Sequence, residues 1–172
     1  MERHPSGAEQ TKRLLALSRL SPCRILDMGA GDGESLALLN SLGFDAVGID
    51  KAGGNGVLRG DFLCSPFPNG SFSAVLSECA FFVCGEPFAA LCEAARLLQK
   101  NGKLLLSDVY FGEQDEAIEL IEKAGFRVLD FADETAEWKR YYIECIWNGT
   151  ADELACAKGK KCGYYLAVCE RT

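Results

Sequence analysis

Apolar residues recur along this chain in two alternating rhythms, short continuous runs and helical spacings, and the alternation predicts the fold. Gln10 to Leu20 has helical spacing, with Leu14, Leu15 and Leu17 apolar, Arg13 and Arg19 polar, and Pro22 ending it. Strands are expected at Arg24 to Met28, Ala46 to Asp50, Ala74 to Ser77, Lys103 to Ser107, Arg127 to Phe131 and Gly163 to Glu170. Helices are expected at Glu34 to Leu42, Pro87 to Gln99 and Asp115 to Lys123, with Pro87 suited to a first helical position. A further helix over Ala136 to Trp147 would take Thr135 as its cap. Strands alternating with helices imply a mostly parallel α/β sheet with helices on both faces. Ligands of such sheets bind beyond the carboxyl ends of the strands, where Asp27, Asp50, Glu78 and Asp108 all fall. No internal repeat, low-complexity tract or linker interrupts the pattern, so residues 1–172 read as one domain.

The first strand leads into Asp27-Met28-Gly29-Ala30-Gly31-Asp32-Gly33-Glu34, and the second ends in Asp50. Glycine permits a sharp turn and a close approach of backbone to ligand, because no Cβ intervenes. A strand, a glycine turn and a helix form the first crossover of a nucleotide-binding sheet. A dinucleotide fingerprint needs glycine at relative positions one, three and six. Counted from Gly29 the sixth position is Glu34, and counted from Gly31 it is Leu36, so both frames fail and a nicotinamide oxidoreductase is disfavoured. A phosphate loop needs a terminal Gly-Lys-Ser/Thr, which is missing. Alternating glycines among carboxylates suit a nucleoside ligand that has cationic groups and no phosphate.

These residues resemble the first motif of the class I S-adenosylmethionine-dependent methyltransferases. The similarity continues through Asp50, Gly60-Asp61-Phe62, the turn and strand from Pro66 to Leu76 ending at Ser77-Glu78, and Arg96 to Asp108. It runs from about Arg24 to Val128, with a weaker echo from Gly163 to Cys169, and is similar to the small-molecule branch of ubiquinone/menaquinone-type and arsenite-type enzymes. The resemblance implies a Rossmann-like, doubly wound seven-stranded sheet whose last strand is antiparallel. It implies S-adenosylmethionine as cofactor and a small molecule as methyl acceptor. The implied cofactor residues are Asp27, Met28, Gly29, Ala30, Gly31, Gly33, Asp50, Lys51, Asp61, Phe62, Ser77 and Glu78. Asp50 would take the ribose hydroxyls, Asp61 the adenine amino group, and Phe62 would cover the ring. Two departures stand out. Only ten residues separate Asp50 from Asp61, fewer than a helical crossover usually takes, so helix B is expected to be missing. About twenty-three residues precede the first strand, so any N-terminal cap is at most one helix, and Thr135 to Lys161 is the other candidate for closing the pocket.

Charge and composition narrow the partners. The net charge is −7, with the basic run Lys158-Gly159-Lys160-Lys161 too short for a nucleic-acid surface. The most apolar stretch, Ala80 to Leu98, is broken by Glu86, Pro87, Glu93 and Arg96, so no membrane span is expected. Met1 to Leu14 lacks the character of a secretory signal, and the expected compartment is the cytoplasm. Oligomeric state is left open. The nine cysteines (Cys23, Cys64, Cys79, Cys84, Cys92, Cys145, Cys156, Cys162, Cys169) should then be reduced thiols. No Cys-x-x-Cys occurs and a single histidine is present, so no metal site is expected. Cys79 and Cys84 fall close to the crevice. Some members of the resembled family methylate trivalent arsenic held by cysteines, but their cysteine positions do not map onto these.

Methyl transfer is an in-line displacement at carbon with a neutral thioether leaving, so positioning can carry much of the catalysis. A base is required only where the acceptor keeps a proton. The candidates are Glu78, Asp108 and Tyr110; His4 lies in the terminal segment. Glu78 reads also as a cofactor-facing or capping carboxylate, and Tyr110 as a packed aromatic. Trp138, Tyr141, Tyr142 and Trp147 read as the packed face of a helix, with a substrate lid as the alternative. A protein that binds the cofactor without catalysis, as an accessory or sensor, is the competing reading.

Overall fold

The computed structural model describes residues 7–149 and 162–172. His4, Cys156 and the Lys158 to Lys161 run lie outside the described residues. Seven strands form one sheet: β1 Arg24–Met28, β2 Asp45–Asp50, β3 Val57–Arg59, β4 Phe72–Glu78, β5 Leu98–Phe111, β6 Phe126–Asp133 and β7 Cys162–Arg171, in the order β3-β2-β1-β4-β5-β7-β6. β1 pairs in parallel with β2 on one side and β4 on the other. The strand order therefore reverses at β1 and β4, and the crevice above that switch point is where a sheet of this kind takes its ligand. β7 enters between β5 and β6 and runs antiparallel to both.

Alternation along β7 explains how it joins the two halves of the core. Tyr165, Ala167 and Cys169 face the cluster that holds Ala90, Leu91, Ala94 and Leu97 of α3 (Pro87–Leu97) and Ile121 of α4 (Gln114–Lys123). Leu166 and Val168 face the opposite cluster, with Leu14 of α1 (Gly7–Ser18) and Leu39 of α2 (Glu34–Ser41). A strand with both faces covered must be apolar at successive positions, and past the exposed Arg24 at its start β1 obeys this except at Asp27.

Several local expectations shift. α1 stops at Ser18, ahead of Pro22: Arg19 turns into the left-handed region (φ 52°) and the Ser18 hydroxyl bonds back to the Leu15 carbonyl. β4 and β5 are longer than their apolar runs, because ladder pairing continues into flanking polar residues. Thr135 does not cap α5 (Thr135–Trp147). It is the first helical residue, and its Oγ1 accepts instead from the Tyr164 N–H, while the Asp133 carboxylate accepts from the Thr135 N–H. The aromatic group on α5 divides. Trp138 is buried with Tyr142 stacked on it at 5.6 Å, whereas Trp147 is 86% exposed. α5 starts beside α1, where Arg13 pairs with Glu134 at 2.6 Å.

No helix occupies residues 51–56. The chain instead passes through Gly53, Gly54 and Gly56, all with positive φ, before the three-residue β3. Among the described residues, no helix is long and apolar enough to cross a membrane.

Candidate functional site

The turn from β1 into α2 is held against the end of β2. Gly29 and Ala30 donate to the Ile49 carbonyl at 2.9 and 3.2 Å, and Gly31 donates to Asp50 Oδ2 at 3.1 Å. Asp50 Oδ1 meanwhile accepts from Ala52 at 2.8 Å, so one carboxylate ties both loops together. Gly29 sits at φ 87°, and a Cβ there would fall 2.3 Å from the Ala80 Cβ. No other residue type fits this position.

Above the turn lies a cavity of about 400 Å³, within the ordinary size of a small-molecule site. Eight of the residues expected to hold a cofactor line it: Asp27, Gly29, Ala30, Gly31, Asp50, Lys51, Phe62 and Glu78. Four others stand behind or beside the wall. Met28 is fully buried and its carbonyl accepts from the Ser77 hydroxyl at 3.0 Å, which turns both residues inward. Gly33 packs against Asn55 and Val57. The Asp61 side chain caps the short Phe62–Cys64 turn through the Leu63 N–H and pairs with Lys51 at 3.3 Å.

The wall also holds Asp32, Glu34, Ser35, Ala80 and Val83, together with Cys79 and Cys84. Asp32 and Glu34 were readable in the sequence, interleaved with or following the glycines. Ser35 enters because its hydroxyl reaches Glu78 Oε2 at 2.9 Å, and Thr11 of α1 donates to the same oxygen at 2.9 Å. Sequence spacing carries no sign of that meeting of α1, α2 and β4.

Electrostatically the cavity is acidic. Asp27 is 2% exposed, and among the described residues its Oδ2 has no hydrogen-bond partner. Burial raises its pKa well above the ordinary carboxylate value, and the nearby Glu78 and Asp50 charges push the same way. A buried carboxyl in this condition favours a cation beside it, which would restore its charge. Burial also raises the Cys79 and Cys84 thiols, so both keep their protons. Cys79 Sγ lies 3.3 Å from the Tyr164 hydroxyl, and Cys84 Sγ donates to the Phe81 carbonyl. Among the described residues, no group of three or more His, Cys, Asp or Glu is arranged to hold a metal ion.

Asp108 and Tyr110, the other two candidate bases, do not line this cavity. Asp108 is buried, accepts from the Phe82 and Val109 N–H groups at 3.0 and 2.8 Å, and borders a different hollow with Tyr110. Of the three candidates only Glu78 faces this cavity, with Oε2 engaged by two hydroxyls.

Residues 26–106 match a family model described as a methyltransferase domain. A protein of Encephalitozoon cuniculi with a provisional methyltransferase name is 36% identical over 90 residues, covering 48% of this chain and 43% of that one. The match thus spans less than half the length of that relative. The fold is similar to geranyl diphosphate C-methyltransferase from Streptomyces coelicolor, at a TM-score of 0.78 and 13% identity, over 96% of this chain and 77% of that chain. It is also similar to the [4+2]-cyclase SpnF, at a TM-score of 0.72 and 18% identity, over 95% and 80% of the two chains.

Proposed function

We propose that this chain is a class I S-adenosylmethionine-dependent methyltransferase, a reading that the methyltransferase-domain match over residues 26–106 supports, and that it moves a methyl group from that donor to a small-molecule acceptor. The observation that carries this reading is the buried Asp27 carboxyl, whose Oδ2 has no hydrogen-bond partner among the described residues, on the wall of an acidic cavity above the switch point. S-adenosylmethionine supplies a methyl group activated by a sulfonium, and its ammonium provides the cation that Asp27 lacks. Asp27 and Glu78 would hold the amino-acid end, Gly29 to Gly31 the central part, Asp50 the ribose, and Phe62 the adenine face.

The chain's own contribution to the reaction is positional. Thr11 and Ser35 fix Glu78 from two helices, so α1 and α2 are clamped over the donor's amino-acid end. Ala80 and Val83 supply the apolar part of the wall, and the acceptor would approach along them. Orientation of this kind can be worth on the order of 7–11 kcal/mol. Burial keeps the thiols on the wall protonated, and an acceptor that presents its own lone pair or anion at working pH would need no base from the wall.

Calorimetric titration with S-adenosylhomocysteine tests the reading. Binding by the parent protein and a loss of at least tenfold in Asp27→Asn are expected; equal affinity in the two would remove the basis of the assignment. A second reading, a donor-binding accessory protein without methyl transfer, is favoured by one observation: a protein named as a cyclase shares this fold. Turnover on a panel of quinone, thiol, metalloid and carboxylate acceptors separates the two.

A further inference from the structure

A second cavity, of about 230 Å³, lies on the far side of the segment that follows β4. Cys79, Ala80, Val83 and Cys84 line the donor crevice, whereas Phe81 and Phe82 line this one. Its walls come from α3, α4 and the ends of β5 and β7, and they carry five aromatic side chains: Phe81, Phe82, Tyr110, Phe111 and Tyr165. The carboxyls among the lining residues are those of Asp108 and Glu116, and among the described residues no lysine, arginine or histidine lines it. Aromatic walls with carboxylates and without a cation of their own are the chemistry that recognises an organic ammonium.

We propose that this cavity is a binding site for a hydrophobic organic cation of single-ring size, separate from the donor crevice. An apolar cavity of about 150 Å³ holds benzene, so this one admits a ring and a short ammonium arm. Asp108 uses its two oxygens on the Phe82 and Val109 N–H groups, yet each carboxylate oxygen has a further lone pair for a ligand. Burial holds its carboxyl up at about 7, and a bound cation would draw it back toward the charged form. Glu116, exposed in the first turn of α4, adds a second negative charge at the edge. The Phe62–Phe81 ring contact at 5.8 Å joins the walls of the two cavities, because Phe62 lines the donor crevice.

The test is calorimetry on the full chain with benzyltrimethylammonium, benzyl alcohol and benzoate. The cation is expected to bind at least tenfold more tightly than the alcohol, and benzoate not at all. Ala117→Phe, which places a ring in the cavity from the half-buried side of α4, should abolish cation binding, and Glu116→Gln should weaken it three- to tenfold. Neither residue touches the donor crevice, so S-adenosylhomocysteine affinity should hold within twofold in both variants. Thermal unfolding checks the fold of each variant independently of any ligand. Saturating S-adenosylhomocysteine separates the sites, since a cation lodged in the acidic donor crevice would be displaced. Methyl signals of Leu91, Leu120 and Ile121 should move on titration even if Ala117→Phe fails to fold. Equal affinity for cation and alcohol, displacement by S-adenosylhomocysteine, or unmoved methyl signals would each overturn the proposal.

Discussion

The two cavities share one loop and differ in how they are made. The crevice proposed for the donor is built largely from backbone: a turn of alternate glycines packs against the end of β2, and carboxylates sit where parallel strands stop. The aromatic cavity is built from side chains that arrive from α3, β5, α4 and β7. A backbone-built site should fail sharply when a Cβ is added. A side-chain site should instead grade with volume and charge.

Gly29→Val is the harshest test of that contrast. Its Cβ would overlap Ala80 and its backbone is left-handed, so a loss of about 2–4 kcal/mol in stability is expected together with loss of donor binding. Urea denaturation and calorimetry read both effects. Gly31→Val, at φ 55°, should remove donor binding more than a hundredfold with a stability cost of only about 1–2 kcal/mol. If Gly31→Val binds the donor normally, the crevice is not built on that backbone.

Asp50→Ala should weaken donor binding by about 1.5–3 kcal/mol, the usual worth of hydrogen bonds to a charged group. It also releases Gly31 and Ala52, so slower donor association is expected alongside the weaker affinity.

The pH dependence comes from the acids of both cavities. Asp27 and Asp108 have native pKa values above their unfolded ones, so both favour the native state while protonated. Their stabilisation is complete below pH of about 4 and, for Asp108, is lost as pH rises through about 7. Asp108→Asn should therefore flatten the fall in stability between those limits, measured as urea midpoints across the range. Asp27→Asn should raise the stability of the ligand-free protein at neutral pH while lowering donor affinity, a trade that a purely structural aspartate would not show.

Asp61→Ala should have the smallest effect. The carboxylate is exposed, paired with Lys51 and bonded to the Leu63 N–H, and exposed pairs are worth about 0–1 kcal/mol. A change in donor affinity below threefold is expected. A loss as large as that of Asp50→Ala would restore Asp61 to the adenine.

How far the chain could be read follows from the same contrast. The glycine turn, β1, β2 and the missing helix between Asp50 and Asp61 depend on near neighbours in sequence, and each appears where spacing placed it. Asp27, Asp50 and Glu78 were legible because strand ends of a parallel sheet converge on one crevice. Ser77 and Glu78 were both expected at the cofactor, but adjacent strand residues face opposite ways: Ser77 donates to the Met28 carbonyl while Glu78 faces the crevice. The grip of Thr11 on Glu78 spans 67 residues and leaves no periodic trace. Trp147 looked like part of a packed face because helical spacing shows which residues share a side, not what lies opposite them.

Local backbone chemistry therefore determined the turn, the order of elements and the acidic character of the crevice, since glycine conformation and strand alternation act over a few residues. Tertiary structure alone decided that α1 clamps Glu78, that Asp61 turns to Lys51, and that Asp108 and Tyr110 belong to a second hollow. Those outcomes depend on which distant surfaces pack together, and packing is a property of the whole folded chain.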